Sequence, residues 1–255
     1  MRLDLYLAES GLADSRTVAK RLIEAGSVTV DEKSVTKPSF DVSGDEKISV
    51  DTSGIKFVSR GGFKLEGALD GFSVSPMGRT ALDVGASSGG FTDCLLQRGA
   101  VHVIAVDSGS GQMVDSLRRD PRVTVLENYN ARYMSPSDFG TTPDLAVMDV
   151  SFISAKLIIP SVYSVLSSDS DFICLIKPQF EVGRSGIGKG GIVKDKKLRR
   201  NAVDGVVDFA VTCGFKLCGV IESPILGGDG NTEYLAHFRK ESVLGEKGNN
   251  SSEQN

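Results

Sequence analysis

Three acids and a lysine stand at the ends of short apolar runs in this chain: Asp83 in "TALDVG", Asp107 in "VHVIAVD", Asp149 in "DLAVMD" and Lys177 in "DFICLIK". Apolar runs of this length, bounded by turn signals, read as buried strands. In a sheet of parallel strands, ligands collect outside the carboxyl ends, so these charged side chains belong to one rim. Acids at such a rim can hold hydroxyls. The lysine is harder to explain by packing, because a buried ammonium is costly without partners. Desolvation disfavours the charged form of an amine, and a neutral amine can take the proton of a weakly acidic hydroxyl such as a ribose 2′-OH. Two more charged residues return to this rim, Lys64 in "SRGGFKLEGAL" and Glu233 in "GNTEYLAHF". Taken singly, both read as surface charges.

The turn after the first run is "LDVGASSGGFTDCLL". Gly85, Gly89 and Gly90 allow a tight turn with close backbone approach, and a helix pattern opens at Phe91. The spacing is G-x-x-x-G-G and not the dinucleotide G-x-G-x-x-G, since Ser87 stands where a glycine would admit a pyrophosphate. Roughly twenty residues on, Asp107 is suited to ribose hydroxyls. An adenosine without phosphates fits this set better than NAD does. S-adenosylmethionine is therefore the expected cofactor, and no metal is expected.

Other chemistries fit less well. The stretch "EVGRSGIGKGGIVKD" comes within one residue of the phosphate loop G-x-x-x-x-G-K-[ST], but Gly190 replaces the hydroxyl that must hold magnesium. Enzymes that methylate exocyclic base amines show an Asp or Asn followed by two prolines at the fourth strand end. Here Val150 and Ser151 follow Asp149. Methylation at carbon five of a pyrimidine needs a thiol nucleophile, yet Cys174 lies inside a strand pattern and Cys213 deep in a helix pattern. Four cysteines without C-x-x-C spacing and two histidines give neither a zinc site nor a disulfide framework, so a reduced, cytoplasmic setting is expected.

The elements that position these residues fall into two groups within 255 residues, of which 40% are hydrophobic and 24% charged. No apolar run is long enough to span a bilayer, and Arg2 and Asp4 interrupt any secretion signal. The formal net charge is −4, but eight basic residues lie between Lys177 and Arg200 against Glu181 and Asp195. Interleaved with glycines, they read as a loop near a polyanion. Residues 1–53 form a small α+β unit. It holds a helix in "RLDLYLAES", a second in "DSRTVAKRLIEAG" and short strands in "SVTVDEKSVT" and "DEKISV". On the second helix Val18, Leu22 and Ala25 share one face, with Arg16, Lys20 and Glu24 opposite. Residues 54–60 read as a linker. From 61 to 240, seven strand patterns alternate with helices such as "GGFTDCLLQRG", which predicts an α/β domain with a mostly parallel sheet. Residues 241–255 are polar and expected to be disordered.

Lys64, Asp149, Lys177 and Glu233 on a methyltransferase fold resemble the tetrad of the FtsJ-type ribose 2′-O-methyltransferases. The phrases "VSRGGFKL", "ALDVGASSGGFTDCLLQRGA", "VMDVSFIS", "LIKPQFEVGR" and "GNTEYL" are closely similar to the TlyA family of rRNA methyltransferases, also labelled hemolysin A-like. The likeness runs from Arg2 to about Arg239 and includes an S4-type RNA-binding domain in "RLDLYLAESGLADSRTVAKRLIEAGSVTV". It implies a seven-stranded Rossmann-like domain that binds S-adenosylmethionine and methylates a ribose 2′-oxygen of cytidine in ribosomal RNA. Lys177 would be the general base, with Lys64, Asp149 and Glu233 completing the catalytic set. Cofactor contacts would fall on Asp83, Gly85, Ser87, Gly89, Gly90, Phe91, Asp107 and, in "ENYNAR", Asn130. RNA would meet Arg2, Arg16, Lys20, Arg60, Arg184 and Lys189. Because the chain begins almost directly at "RLD", large-subunit rRNA is the expected substrate, with small-subunit rRNA the other candidate. Two rivals remain: a membrane-active hemolysin, for which no inserting segment is visible, and an inactive RNA-binding module, which would have no use for the tetrad.

Overall fold

The computed structural model describes residues 1–242 except 14, 25, 52–55, 184–185 and 228–229. Two compact units divide between Val58 and Ser59. Most of the expected tail, from residue 243, and residues 54 and 55 of the expected linker lie outside the described residues.

The first unit contains α1 (Leu3–Glu9), α2 (Arg16–Glu24) and an antiparallel sheet of β1 (Val28–Val30), β2 (Lys33–Ser34) and β3 (Ile48–Val50), in the order β2-β1-β3. Leu3 and Leu7 of α1 pack with Ala19, Leu22 and Ile23 of α2 and Val28 of β1. The buried face of α2 therefore lies slightly round the helix from the expected Val18–Leu22–Ala25 stripe. Ala19 and Ile23 are fully buried, Val18 only partly, and Ala25 lies outside the described residues. Asp4 is the surprise of this unit: a fully buried carboxylate 2.9 Å from the Arg2 Nε and 3.0 Å from the Arg16 Nε. The hydrogen-bonded Arg2 guanidinium, helped by Arg16, holds that carboxyl well below the usual carboxylate range.

The second unit is the expected α/β domain. After α3 (Gly61–Phe72) come β4 (Thr80–Val84), α4 (Gly90–Gln97), β5 (His102–Val106), α5 (Asp115–Arg118), β6 (Val123–Leu126), β7 (Leu145–Met148) and α6 (Ile159–Val165). Then follow β8 (Ser170–Ile176), α7 (Pro178–Glu181), α8 (Lys196–Thr212), β9 (Lys216–Glu222) and β10 (Tyr234–Lys240). The seven strands run β6-β5-β4-β7-β8-β10-β9. All pairings from β6 to β8 are parallel, while β10 is antiparallel to both its neighbours. Every residue of β7 is buried, as continuous apolar strands covered on both faces require. A core of Leu82, Ile104, Met148, Phe172, Val206 and Phe238 packs on the sheet. From β4 the chain proceeds outward through β5 and β6, and then returns to the other side of β4 at β7. The order therefore reverses between β4 and β7, where such sheets open a crevice.

Candidate active site

The crevice is shaped first by backbone. Beyond β4, Gly85 has φ 83°, and a Cβ there would lie 2.5 Å from the carbonyl oxygen of Asp149. The turn after β4 and the loop after β7 thus touch, and only glycine permits it. Ser87 N–H donates to Asp107 Oδ2 at 2.8 Å and Gly109 N–H donates to Oδ1 at 2.7 Å, which fixes the carboxylate at the end of β5. Gly89, at φ 95°, starts α4, and its missing Cβ leaves room for Leu117.

Two cavities share this turn. One, of about 440 Å³, is lined by Gly85, Ser87, Asp107 and Asn130, with Val106, Ile153 and Ile158 among its apolar walls. Among the described lining residues there is no lysine or arginine. A carboxylate, a carboxamide, apolar walls and no cation fit an adenosine with a positively charged sulfonium, and fit a polyphosphate poorly. S-adenosylmethionine passes this test, and Asp107 and Asn130 are the polar groups that would hold it. The second cavity, of about 260 Å³, is lined by Arg60, Lys64, Asp149, Ser151 and Lys177, and by Gly85, Ser87, Gly90 and Phe91 from the turn.

Lys177, directly after β8, reaches across to the β7 end. Its Nζ lies 2.5 Å from Asp149 Oδ1 and donates to Ser151 Oγ at 2.7 Å. Lys64, buried on α3, donates to Glu233 Oε2 at 2.6 Å. Gln179 Nε2 donates to the other Glu233 oxygen at a long 3.4 Å. Glu233 immediately precedes β10, which pairs with β8, so both lysines arrive on neighbouring strand ends or the helix beside them. Lys64, Asp149 and Lys177 line the smaller cavity, while Glu233, which lines neither cavity, is buried behind Lys64 as its partner.

Asp83 lines neither cavity. Its carboxyl is fully buried behind the turn, where Oδ2 accepts from Thr92 Oγ at 2.7 Å while Oδ1 has no partner. Burial pushes this group up to about 7, with the nearby Asp149 and Asp107 acting in the same direction. Its geometry is that of a group holding the start of α4. Gly89 likewise lines neither cavity. Gly90 and Phe91 face the 260 Å³ cavity rather than the 440 Å³ one.

The expected RNA contacts fare unevenly. Arg2 and Arg16 are tied to Asp4, whereas Lys20 is exposed on α2. Arg60 donates to the Leu226 carbonyl at 2.9 Å, on the rim of the smaller cavity. Arg184 lies outside the described residues, and Lys189 is described by its backbone alone. Sequence reasoning passed over Ser151 and Gln179. Their signal was position: one lies two residues beyond Asp149 and the other two beyond Lys177.

Comparison with known proteins agrees with this architecture. A family model described as FtsJ-like methyltransferase matches residues 57–240, and one described as S4 domain matches residues 1–48. The 16S/23S rRNA (cytidine-2′-O)-methyltransferase TlyA of Mycobacterium tuberculosis is 46% identical over 242 residues, covering 94% of this chain and 90% of its own length. Hemolysin A of Brachyspira hyodysenteriae is 43% identical, over 93% of this chain and 99% of that protein. A solved structure carrying a hemolysin name, from Streptococcus thermophilus, aligns with a TM-score of 0.76 at 42% identity, covering 95% of this chain and 89% of that one.

Proposed function

This chain belongs to the FtsJ-like methyltransferase family and carries an S4 domain, and from that premise we propose that it methylates the ribose 2′-oxygen of a cytidine in ribosomal RNA. The observation that carries the reading is the Lys177–Asp149 pair, backed by the buried Lys64–Glu233 pair, in a cavity that adjoins one fitting adenosine. The name of the Mycobacterium tuberculosis relative supports cytidine and ribosomal RNA as substrate. That name prints both 16S and 23S rRNA, so the RNA of either ribosomal subunit is a candidate substrate.

S-adenosylmethionine, when bound, supplies an electrophilic methyl group. The protein must supply everything else. A ribose hydroxyl is a poor nucleophile at neutral pH, so its proton has to leave in or before the transition state. Lys177 Nζ takes that proton in the smaller cavity, beside Asp149 and Ser151, which border both cavities. Asp149, 2.5 Å from the amine, compensates the charge that the amine gains. The Lys64–Glu233 pair, nearly dry, is a fixed dipole that orients the ribose. Arg60 and the basic stretch up to Arg200 neutralise backbone phosphates, and the S4 unit docks structured RNA.

The hemolysin names among its relatives raise a lytic alternative. Among the described residues no helix is long and apolar enough to cross a membrane, whereas the paired charges have an immediate use in methyl transfer. The test is Lys177→Arg, which keeps the positive charge but cannot lose a proton. Turnover should fall on the order of 10²–10⁴-fold while RNA binding stays within a few fold. A variant that methylates rRNA at near wild-type rate removes Lys177 from the base role.

A further inference from the structure

Lys177 has a second partner that the tetrad does not include. Its Nζ donates to the Ser151 hydroxyl at 2.7 Å as well as facing Asp149 Oδ1 at 2.5 Å. Ser151 is itself exposed and borders both cavities. Its place is set by an unusual backbone. The next residue, Phe152, has φ 64°, a left-handed conformation that a bulky side chain adopts at a cost. On its other side, the Asp149 carbonyl lies against Gly85, so the loop from 149 to 152 is pinned at both ends.

A base must present its lone pair in one direction. A neutral amine is a tetrahedral centre with two N–H bonds, one lone pair and its own stem. The Asp149 carboxylate lies 2.5 Å from Nζ as a counter-charge, yet its Oδ1 makes no hydrogen bond, so among the described residues it is the Ser151 oxygen that fixes rotation about the Cε–Nζ bond. We propose that Ser151 is a positioning residue for Lys177: it accepts one N–H of the neutral amine, so that with the Asp149 carboxylate alongside the nitrogen the lone pair faces the crevice where the ribose hydroxyl enters. When Lys177 has taken up the ribose proton, the new N–H points along that same direction, and Ser151 continues to hold the ammonium. Ser151 is suited to this because its hydroxyl oxygen accepts without adding a second negative charge, which would favour the ammonium and oppose deprotonation. The proton passes from ribose oxygen to Lys177, and Ser151 forms and breaks no covalent bond.

The inference rests on Lys177 acting as the base, so the experiment carries that control. Wild type, Lys177→Arg, Ser151→Ala and Ser151→Thr are compared as full-length proteins with ribosomal RNA and labelled S-adenosylmethionine. Turnover at saturation, KM for RNA and thermal melting are measured for each. A wild type that turns over and an inactive Lys177→Arg establish the base. An active Lys177→Arg refutes the base and this inference with it, whatever Ser151 does. With the base established, Ser151→Ala should lower kcat about 10- to 100-fold, the scale of misplaced reacting groups, with KM for RNA and the melting temperature little changed. Ser151→Thr, which restores the hydroxyl, should recover kcat to within about threefold, by the same positioning argument. The proposal is overturned if Ser151→Ala keeps kcat within about threefold of wild type. It is equally overturned if the defect appears only in KM, or if Thr is as poor as Ala.

Discussion

At the scale of single residues, the site combines charges that satisfy one another with one that does not. Lys64 and Glu233 pair at 2.6 Å with their side chains 10% and 3% exposed, a geometry in which losing either partner strands a buried charge. Asp83 differs, since its partners come from Thr92 alone and its Oδ1 has none. Its folded carboxyl titrates at about 7 because burial penalises the anion, while in the unfolded chain it titrates near the ordinary value of 3.8. The folded state therefore holds a proton that the unfolded state has released between about pH 4 and pH 7. Across that window Asp83 makes the protein less stable as pH rises, with a slope no steeper than ~1.4 kcal/mol per unit. Asp83→Asn cannot ionise and keeps an acceptor for Thr92. In urea titrations it should gain on wild type as pH is raised from 5 to 8. A stability difference that stays constant, or moves the other way, would show that Asp83 is ionised in the fold throughout.

At the scale of elements, the crevice exists because two loops approach more closely than side chains allow. Gly85→Ala would place a methyl 2.5 Å from the Asp149 carbonyl oxygen and force φ 83° on alanine. The change should cost about 1–3 kcal/mol of stability and weaken S-adenosylmethionine binding in calorimetry by at least about tenfold, as the loop carrying Asp149 is displaced. Unchanged affinity would mean that the contact does not shape the cofactor cavity. The strands here were legible in the sequence because continuous apolar runs ending in charged residues leave little choice of structure. Position along the chain also placed Asp107, Asp149 and Lys177 at one rim. What the sequence concealed were side-chain directions. Asp83 and Asp107 both end strands, yet one turns inward to Thr92 and the other outward to the turn N–H groups. The α2 stripe was misjudged by about one position for a similar reason: α1 decides which face is covered, and periodicity within α2 does not contain that information. Asp4, an acid in a helix of leucines, reads as surface until Arg2 and Arg16 are seen to close on it.

At the scale of the whole molecule, the two units hold different features. The smaller has its own apolar core and an exposed Lys20, while the larger holds the crevice and both ion pairs. The acidic balance of the chain, −4 overall, conceals a basic segment running from Lys177 to Arg200. Following Lys177, for which the base role is proposed, that segment would suit a grip on RNA, and its likeness to a nucleotide-triphosphate loop lacks the hydroxyl that such a loop needs at Gly190. The proposed reaction places the methyl group on a ribose 2′-oxygen of cytidine in ribosomal RNA. Its most direct test incubates ribosomal RNA, as free RNA and as 30S and 50S particles, with the purified protein and S-adenosylmethionine, and then identifies modified nucleosides by mass spectrometry after complete digestion. The expected product is 2′-O-methylcytidine, formed by wild type and absent with Lys177→Arg. A methyl group on a base, or no methylation of any of the three substrates by wild type, would contradict it.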